Sequence, residues 1–130
     1  MRAGLSALVI ATALLVPACG GDEPGATAPA PTVLPTSVTV EVLDNEYRPA
    51  RITIATGGTV TWNYTGPIGL HTMTEPNALF DSHPECPAEP AACMKAKGET
   101  FSHTFAGAGT FTYICKVHGE IMSATVIVRA

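Results

Sequence analysis

Three side chains able to bind a metal stand within eight residues of one another near the end of the chain: Cys115, His118 and Met122. They sit in GTFTYICKVHGEIMSATVIV, residues 109–128, where two strand-like runs flank a short loop. Before the loop, Phe111, Tyr113 and Cys115 share one face at period two. After it, Met122, Ala124, Val126 and Val128 do the same. A thiol, an imidazole and a thioether are therefore gathered at one end of a sheet. The thiolate is soft, the imidazole borderline and the thioether soft and weak, a mixture that suits copper. A fourth donor must come from elsewhere, and His71 is the candidate.

With His71 the set becomes two imidazoles, one thiolate and a weak Met, the trigonal His2Cys arrangement of blue-copper sites. The chain here resembles a cupredoxin of the plastocyanin and amicyanin type. The resemblance is carried by DNEYRPARITIATGGTVTWN (44–63), HTMT (71–74) and GETFSHTFAGAGTFTYICKVHGEIMSATVIV (98–128). A strand, then C-x2-H-x3-M, then another strand is its most specific part. A lone His in an exported domain is more often structural than a ligand, so His71 rests on its place in this pattern. The resemblance implies one type 1 copper ion cycling between Cu(I) and Cu(II), held by His71, Cys115, His118 and Met122. Both imidazoles would bind through the ring nitrogen nearer the backbone, leaving the outer edge of His118 near solvent. Ile68, Leu70, Gly119 and Ile121 would form an apolar patch around that edge, where a redox partner protein docks weakly. Thr72 is placed to tie the two ligand-bearing loops together. Two departures stand out. Plastocyanin has four residues between the loop His and Met and amicyanin two, whereas this chain has three, Gly119, Glu120 and Ile121. Ile114 also precedes the loop Cys where plastocyanin has a tyrosine, so the tyrosine-linked electron route does not carry over.

Stepping outward from the site, the chain must supply strands to hold it. Its 130 residues give one domain and a modest core. Only 14% are charged, with net charge −4 and no basic block, so no nucleic-acid partner is expected. Val38, Val40 and Val42 alternate in a first strand, Ile52 and Ile54 in a second, and Val60, Trp62 and Tyr64 in a third. Asp44-Asn45 and Gly57-Gly58 are turn signals between them. His71 is expected to open a short strand ending near Thr74. Met73 shares its face and is expected in the core. Phe101, His103 and Phe105 line one face of a later strand, with His103 structural. The implied architecture is all-β, a Greek-key sandwich or flattened barrel of about seven or eight strands over residues 38–130.

Between these strands, residues 76–97 have no strand period but carry Cys86 and Cys93 with six residues between them. In an exported chain a disulfide is expected; the rival reading is a second metal site using His83, Cys86, Cys93 and Met94. Export itself is read from residues 1–18, where Arg2 precedes an apolar run, Leu5 to Val16, too short to span a bilayer. Val16-Pro17-Ala18-Cys19 resembles a bacterial lipoprotein signal, with Cys19 acylated; otherwise Cys19 is an incidental thiol behind an ordinary signal. Residues 19–37, rich in Pro, Ala and Thr, read as a disordered tether. The expected protein is a monomer anchored by lipid to the outer face of a bacterial cytoplasmic membrane, or else soluble in the periplasm or secreted. The leading function is single-electron transfer between redox partners, without catalysis. The alternative is a copper-binding protein that delivers the ion to an exported enzyme. Structural zinc fits poorly, because Met is a poor zinc ligand. Multicopper catalysis needs more His than the four present.

Overall fold

A computed structural model describes residues 32–66 and 69–130. The signal segment with Cys19, most of the tether, and the patch residue Ile68 lie outside the described residues. The valine-rich opening forms β1 (Ser37–Leu43), which turns through Asp44 and Asn45 into β2 (Glu46–Arg48). Then come β3 (Arg51–Ala55), β4 (Thr59–Tyr64) and a two-residue β5 (Gly69–Leu70). A short 3-10 turn at Pro90–Cys93 leads into β6 (Met94–Lys95), and β7 (Thr100–Thr104), β8 (Gly109–Cys115) and β9 (Gly119–Arg129) complete the chain.

Alternation builds each strand. In β4, Val60, Trp62 and Tyr64 are buried while Thr59, Thr61 and Asn63 are half-buried, the pattern of β-branched and aromatic residues on one covered face. Two sheets result, one ordered β2-β1-β4-β7 and the other β3-β9-β8. β1 lies parallel to β4, with Val40 opposite Trp62, and β3 lies parallel to β9, with Ile52 opposite Val126. Parallel neighbours so far apart in sequence mean that the chain crosses between sheets, the Greek-key property expected. The core fills the space between: Val40, Val60 and Trp62 from the first sheet meet Ile54, Tyr113, Val126 and Val128 from the second. Trp62 and Tyr113 touch edge to face, with ring centroids 5.3 Å apart. Trp62 is a core residue, as read.

The two principal sheets hold seven strands. The additional antiparallel pair joins β5, just before His71, to β6 in the 76–97 excursion, and two-residue strands are too short to show any period in sequence. Cys86 and Cys93 are both buried and joined by a disulfide, with Cα atoms 5.3 Å apart. Their sulfurs are thereby taken, which removes the second metal site built on them. Two boundaries differ from expectation. His71 does not open a strand: residues 71–73 are irregular, and only Thr74 forms isolated bridges, to Asp81 and to Ile114. β9 starts at Gly119 rather than at Met122, because Cys115 pairs directly with Gly119 across a tight turn. Gly119 has φ of +64°, a left-handed conformation that a residue without Cβ adopts freely.

Candidate metal centre

Two chain segments converge at one end of the sandwich. The first is the end of β8 with its turn, Cys115 to Gly119. The second is the irregular stretch from Leu70 to Thr74, which runs beside it because Thr74 and Ile114 exchange backbone hydrogen bonds of 3.0 Å in both directions. The Lys116 amide then donates to Thr72 Oγ1 at 3.0 Å, and the Cys115 thiol points to the Leu70 carbonyl at 3.6 Å. Thr72, fully buried, thus joins the two segments.

This lacing gathers donors. The ligand atoms of His71, Cys115 and His118 all lie within 4.8 Å of one another. Cys115 Sγ is 3.4 Å from His118 Nδ1, and the two imidazole rings lie 5.1 Å apart, tilted by 35°. Cys115 is wholly buried and is the free cysteine of the described residues. Met122 is buried, on the bulged start of β9. His118 is half-buried, so one edge of the site lies close to the surface.

His71 decides whether a metal fits. Its ring is buried, yet neither Nδ1 nor Nε2 has a hydrogen-bond partner. An unsatisfied buried polar atom costs about 1–3 kcal/mol, so a folded chain rarely leaves two on one ring. The nearest carboxylate, Asp44 Oδ1, stands 3.7 Å from Nε2, beyond hydrogen-bond length. The Nε2 edge also faces Gly69, which leaves Nδ1 as the donor toward the site. Burial pushes the His71 imidazole toward the neutral form, and His118 pushes the same way; Asp44 opposes them. Neutral imidazole, with a lone pair to give, is the form a metal takes. Two imidazole nitrogens and a soft sulfur, with a buried thioether on the strand that follows, fit copper better than a hard cation.

The surroundings hold His71 by its backbone. Tyr64 Oη donates to the His71 carbonyl at 3.0 Å, Tyr47 Oη donates to the Thr72 carbonyl, and the His71 amide donates to the Cys93 carbonyl at 3.1 Å. Burial raises both tyrosines well above the ordinary phenol range, so they remain donors at every working pH. Sequence reading missed these ties, along with Gly69 and Lys116. Only Gly69, two residues before His71, left a trace in sequence.

Other predicted residues fall as follows. Leu70 and Ile121 are exposed, Ile121 at 83%, and Val117, not anticipated, is exposed between them in sequence. His103 is half-buried and packs on the rings of Phe80 and Phe105, 4.9 and 4.8 Å away, which is a structural setting. Met73 is fully buried in the core, with Tyr64 Oη 3.6 Å from its sulfur.

Comparison with known proteins gives the same answer. Halocyanin from Natronomonas pharaonis is 34% identical over 85 residues, 64% of this chain; the chain spans only 48% of that relative's length. The fold is similar to a variant of amicyanin in its reduced Cu(I) form, with a TM-score of 0.56 and 25% identity, covering 75% of this chain and 86% of that one. It is also similar to a copper-containing nitrite reductase from Thermus scotoductus, with a TM-score of 0.55 and 22% identity, over 80% of this chain but 25% of the enzyme. The sequence pattern of the copper binding proteins of the plastocyanin/azurin family matches residues 35–129, from just before β1 to the last residue of β9. A copper-type donor set on a seven-strand Greek-key sandwich, matched along nearly its whole length, makes this chain a cupredoxin, a member of the copper-binding plastocyanin/azurin family.

Proposed function

We propose that the protein carries single electrons between redox partners outside the cytoplasmic membrane, using one copper ion held by His71, Cys115, His118 and Met122. The observation that supports this most directly is the preformed cage: three donors within 4.8 Å of one another, one of them a buried imidazole with both nitrogens free. When bound, copper would supply a one-electron Cu(I)/Cu(II) couple. The chain's own residues do the rest. Tyr64 Oη holds the His71 carbonyl, and the Thr74–Ile114 and Lys116–Thr72 bonds fix the chain on either side of Cys115, so the donors need not move when charge changes. Trp62, Tyr113 and Phe80 pack the interior beneath and exclude water from it.

The half-buried His118 gives the electron its way out. Leu70, Val117 and Ile121, all exposed, flank the two ligand segments and suit a weak, short-lived apolar docking contact with a partner protein. The Cys86–Cys93 disulfide suits an oxidising compartment, which agrees with the exported, Cys19-anchored reading of the leader. Residues 38–130 form the working domain on this reading, tethered by 19–37. No catalysis is assigned, since the likeness to nitrite reductase covers only a quarter of that enzyme.

Visible absorption and EPR of the oxidised, Cu(II)-loaded protein test the proposal. An intense thiolate-to-copper band with narrow copper hyperfine splitting is expected, and both should vanish in Cys115→Ser. A colourless protein with ordinary Cu(II) EPR would overturn the electron-transfer reading in favour of copper delivery.

A further inference from the structure

Cys115 and His118 are held together by a tight turn, but His71 is 44 residues from Cys115, and no local geometry fixes the distance between them. The disulfide-closed excursion grips both sides of that gap. On the His71 side, the Cys93 carbonyl accepts the His71 amide at 3.1 Å, and β6, which follows Cys93 directly, pairs with β5, which ends one residue before His71. On the Cys115 side, Lys116 reaches into the start of the excursion. Its Nζ ion-pairs with the Asp81 carboxylate and donates to the His83 carbonyl at 2.9 Å. Asp81 Oδ1 also accepts Thr74 Oγ1 and the His83 amide, each at 3.0 Å, and Thr74 Oγ1 lies 3.0 Å from Thr72 Oγ1. Ser82 binds the Met73 backbone twice, at amide and carbonyl.

The excursion thus has two anchors, 81–83 on the Lys116 side and Cys93 on the His71 side. The disulfide joins them: Cys86 follows the first anchor, with its amide bonded to the His83 carbonyl, and Cys93 is the second. We propose that the Cys86–Cys93 bridge, with Asp81, is a positioning device that fixes His71 relative to Cys115, and so sets the geometry of the copper site. The inference rests on the ligand assignment proposed above. Without the bridge the Cys93 carbonyl is held only by a two-residue ribbon, and the His71 amide gains freedom although Tyr64 and Tyr47 still hold the carbonyls that follow it.

The test is the full chain carrying Cys86→Ser and Cys93→Ser, compared with the natural chain and with Asp81→Asn, which keeps the bridge. Far-UV circular dichroism and Trp62 fluorescence report whether the sandwich is intact. The double variant is expected to keep the fold, to show broadened copper hyperfine lines, and to lose copper to a Cu(I) chelator about 10- to 100-fold faster, the usual effect of removing an outer partner of a ligand. The His71 amide should exchange with solvent faster in the metal-free double variant while Tyr113 stays protected. Asp81→Asn should shift the EPR in the same direction by less. A folded double variant with unchanged EPR, release rate and His71 exchange would overturn the proposal and leave the bridge a mere staple. If the double variant does not fold, unchanged EPR in Asp81→Asn overturns it. Absence of the thiolate band from the natural chain would instead overturn the ligand reading, and this inference with it.

Discussion

A methyl group added at Gly69 would stand 2.3 Å from His71 Nε2 and 2.6 Å from its Cδ2. Non-bonded carbon contacts settle at about 3.5–4.0 Å, so Gly69→Ala demands a shift of about 1 Å from the ring or the backbone. Neither yields freely. The ring is 4% exposed and faces the His118 ring on another side, while the backbone on both sides of it is held by the β5–β6 pairing and the bond to Cys93. Overpacking of this kind typically costs ~1–3 kcal/mol. If the copper-bound geometry bears the whole of it, affinity falls ~5- to 150-fold, at ~1.4 kcal/mol per factor of ten. Chelator competition measures the affinity, and EPR of the Cu(II) form reports whether the site has been distorted. Gly107→Ala is the control, since an added Cβ there meets nothing within 4 Å. Wild-type affinity and spectrum in Gly69→Ala would refute the placement of the His71 ring against Gly69, and with it the assignment of Nδ1 as donor.

Tyr64→Phe leaves the His71 carbonyl without its phenol donor, so a thermal or urea melt should show a loss of about 1–3 kcal/mol. Trp62→Ala empties the centre of the core, where the ring is 0% exposed, and should cost about 3–5 kcal/mol in the same assay. Asp81 gives a pH signature: burial alone would raise its carboxyl, but hydrogen bonds from Lys116, the His83 amide and Thr74, with the Lys116 charge, hold it below the ordinary aspartate range. A depressed carboxylate binds fewer protons folded than unfolded. Its contribution is therefore complete above the unfolded value, about 3.9, and is lost as pH falls through the folded value. Asp81→Asn should flatten that acid limb of the stability curve, measured by urea melts at stepped pH; an unchanged limb would contradict the Lys116–Asp81 pairing.

Cys115, His118 and Met122 were legible because local chain geometry alone brings them together: period two places Cys115 inward, and a turn returns the chain within a few residues. The buried faces of β1, β3 and β4 were legible for the same reason, since Val40, Ile54 and Trp62 each sit on an alternation, whereas β9 alternates only as far as Val126 and then buries Ile127 and Val128 in succession. His71 was not legible locally. His71 and His103 are each followed by Thr, and either reads as an inward strand residue; only the family resemblance separated them. What distinguishes them in space is long-range, for His71 meets His118 while His103 meets Phe80 and Phe105. The supports of His71 were hidden for a further reason. The Tyr64 hydroxyl, the Tyr47 hydroxyl and the Cys93 carbonyl all act on backbone groups of His71 and Thr72, and a backbone group has no residue type to announce it. The Tyr64 bond also bears on why the expected strand at His71 did not form: the His71 carbonyl is committed to a side-chain donor rather than to a ladder partner.

The three-residue spacing between His118 and Met122 has a structural consequence that links the metal to the surface. On β8, Ile114 pairs with Ser123 but the next residue, Cys115, pairs with Gly119, so Glu120, Ile121 and Met122 have no partner there and bulge from the ladder. Within that bulge adjacent residues point opposite ways: Ile121 is 83% exposed and Met122 1% exposed. One element therefore presents the thioether inward and the most exposed aliphatic of the proposed docking patch outward. Because strand side chains alternate and Ser123, next to Met122, is paired with Ile114, the register of β9 sets Met122 inward and Ile121 outward together. On the function proposed above, a slip of that register would change the partner surface and the residue that faces the interior at once. Surface and site are set together by the register of β9.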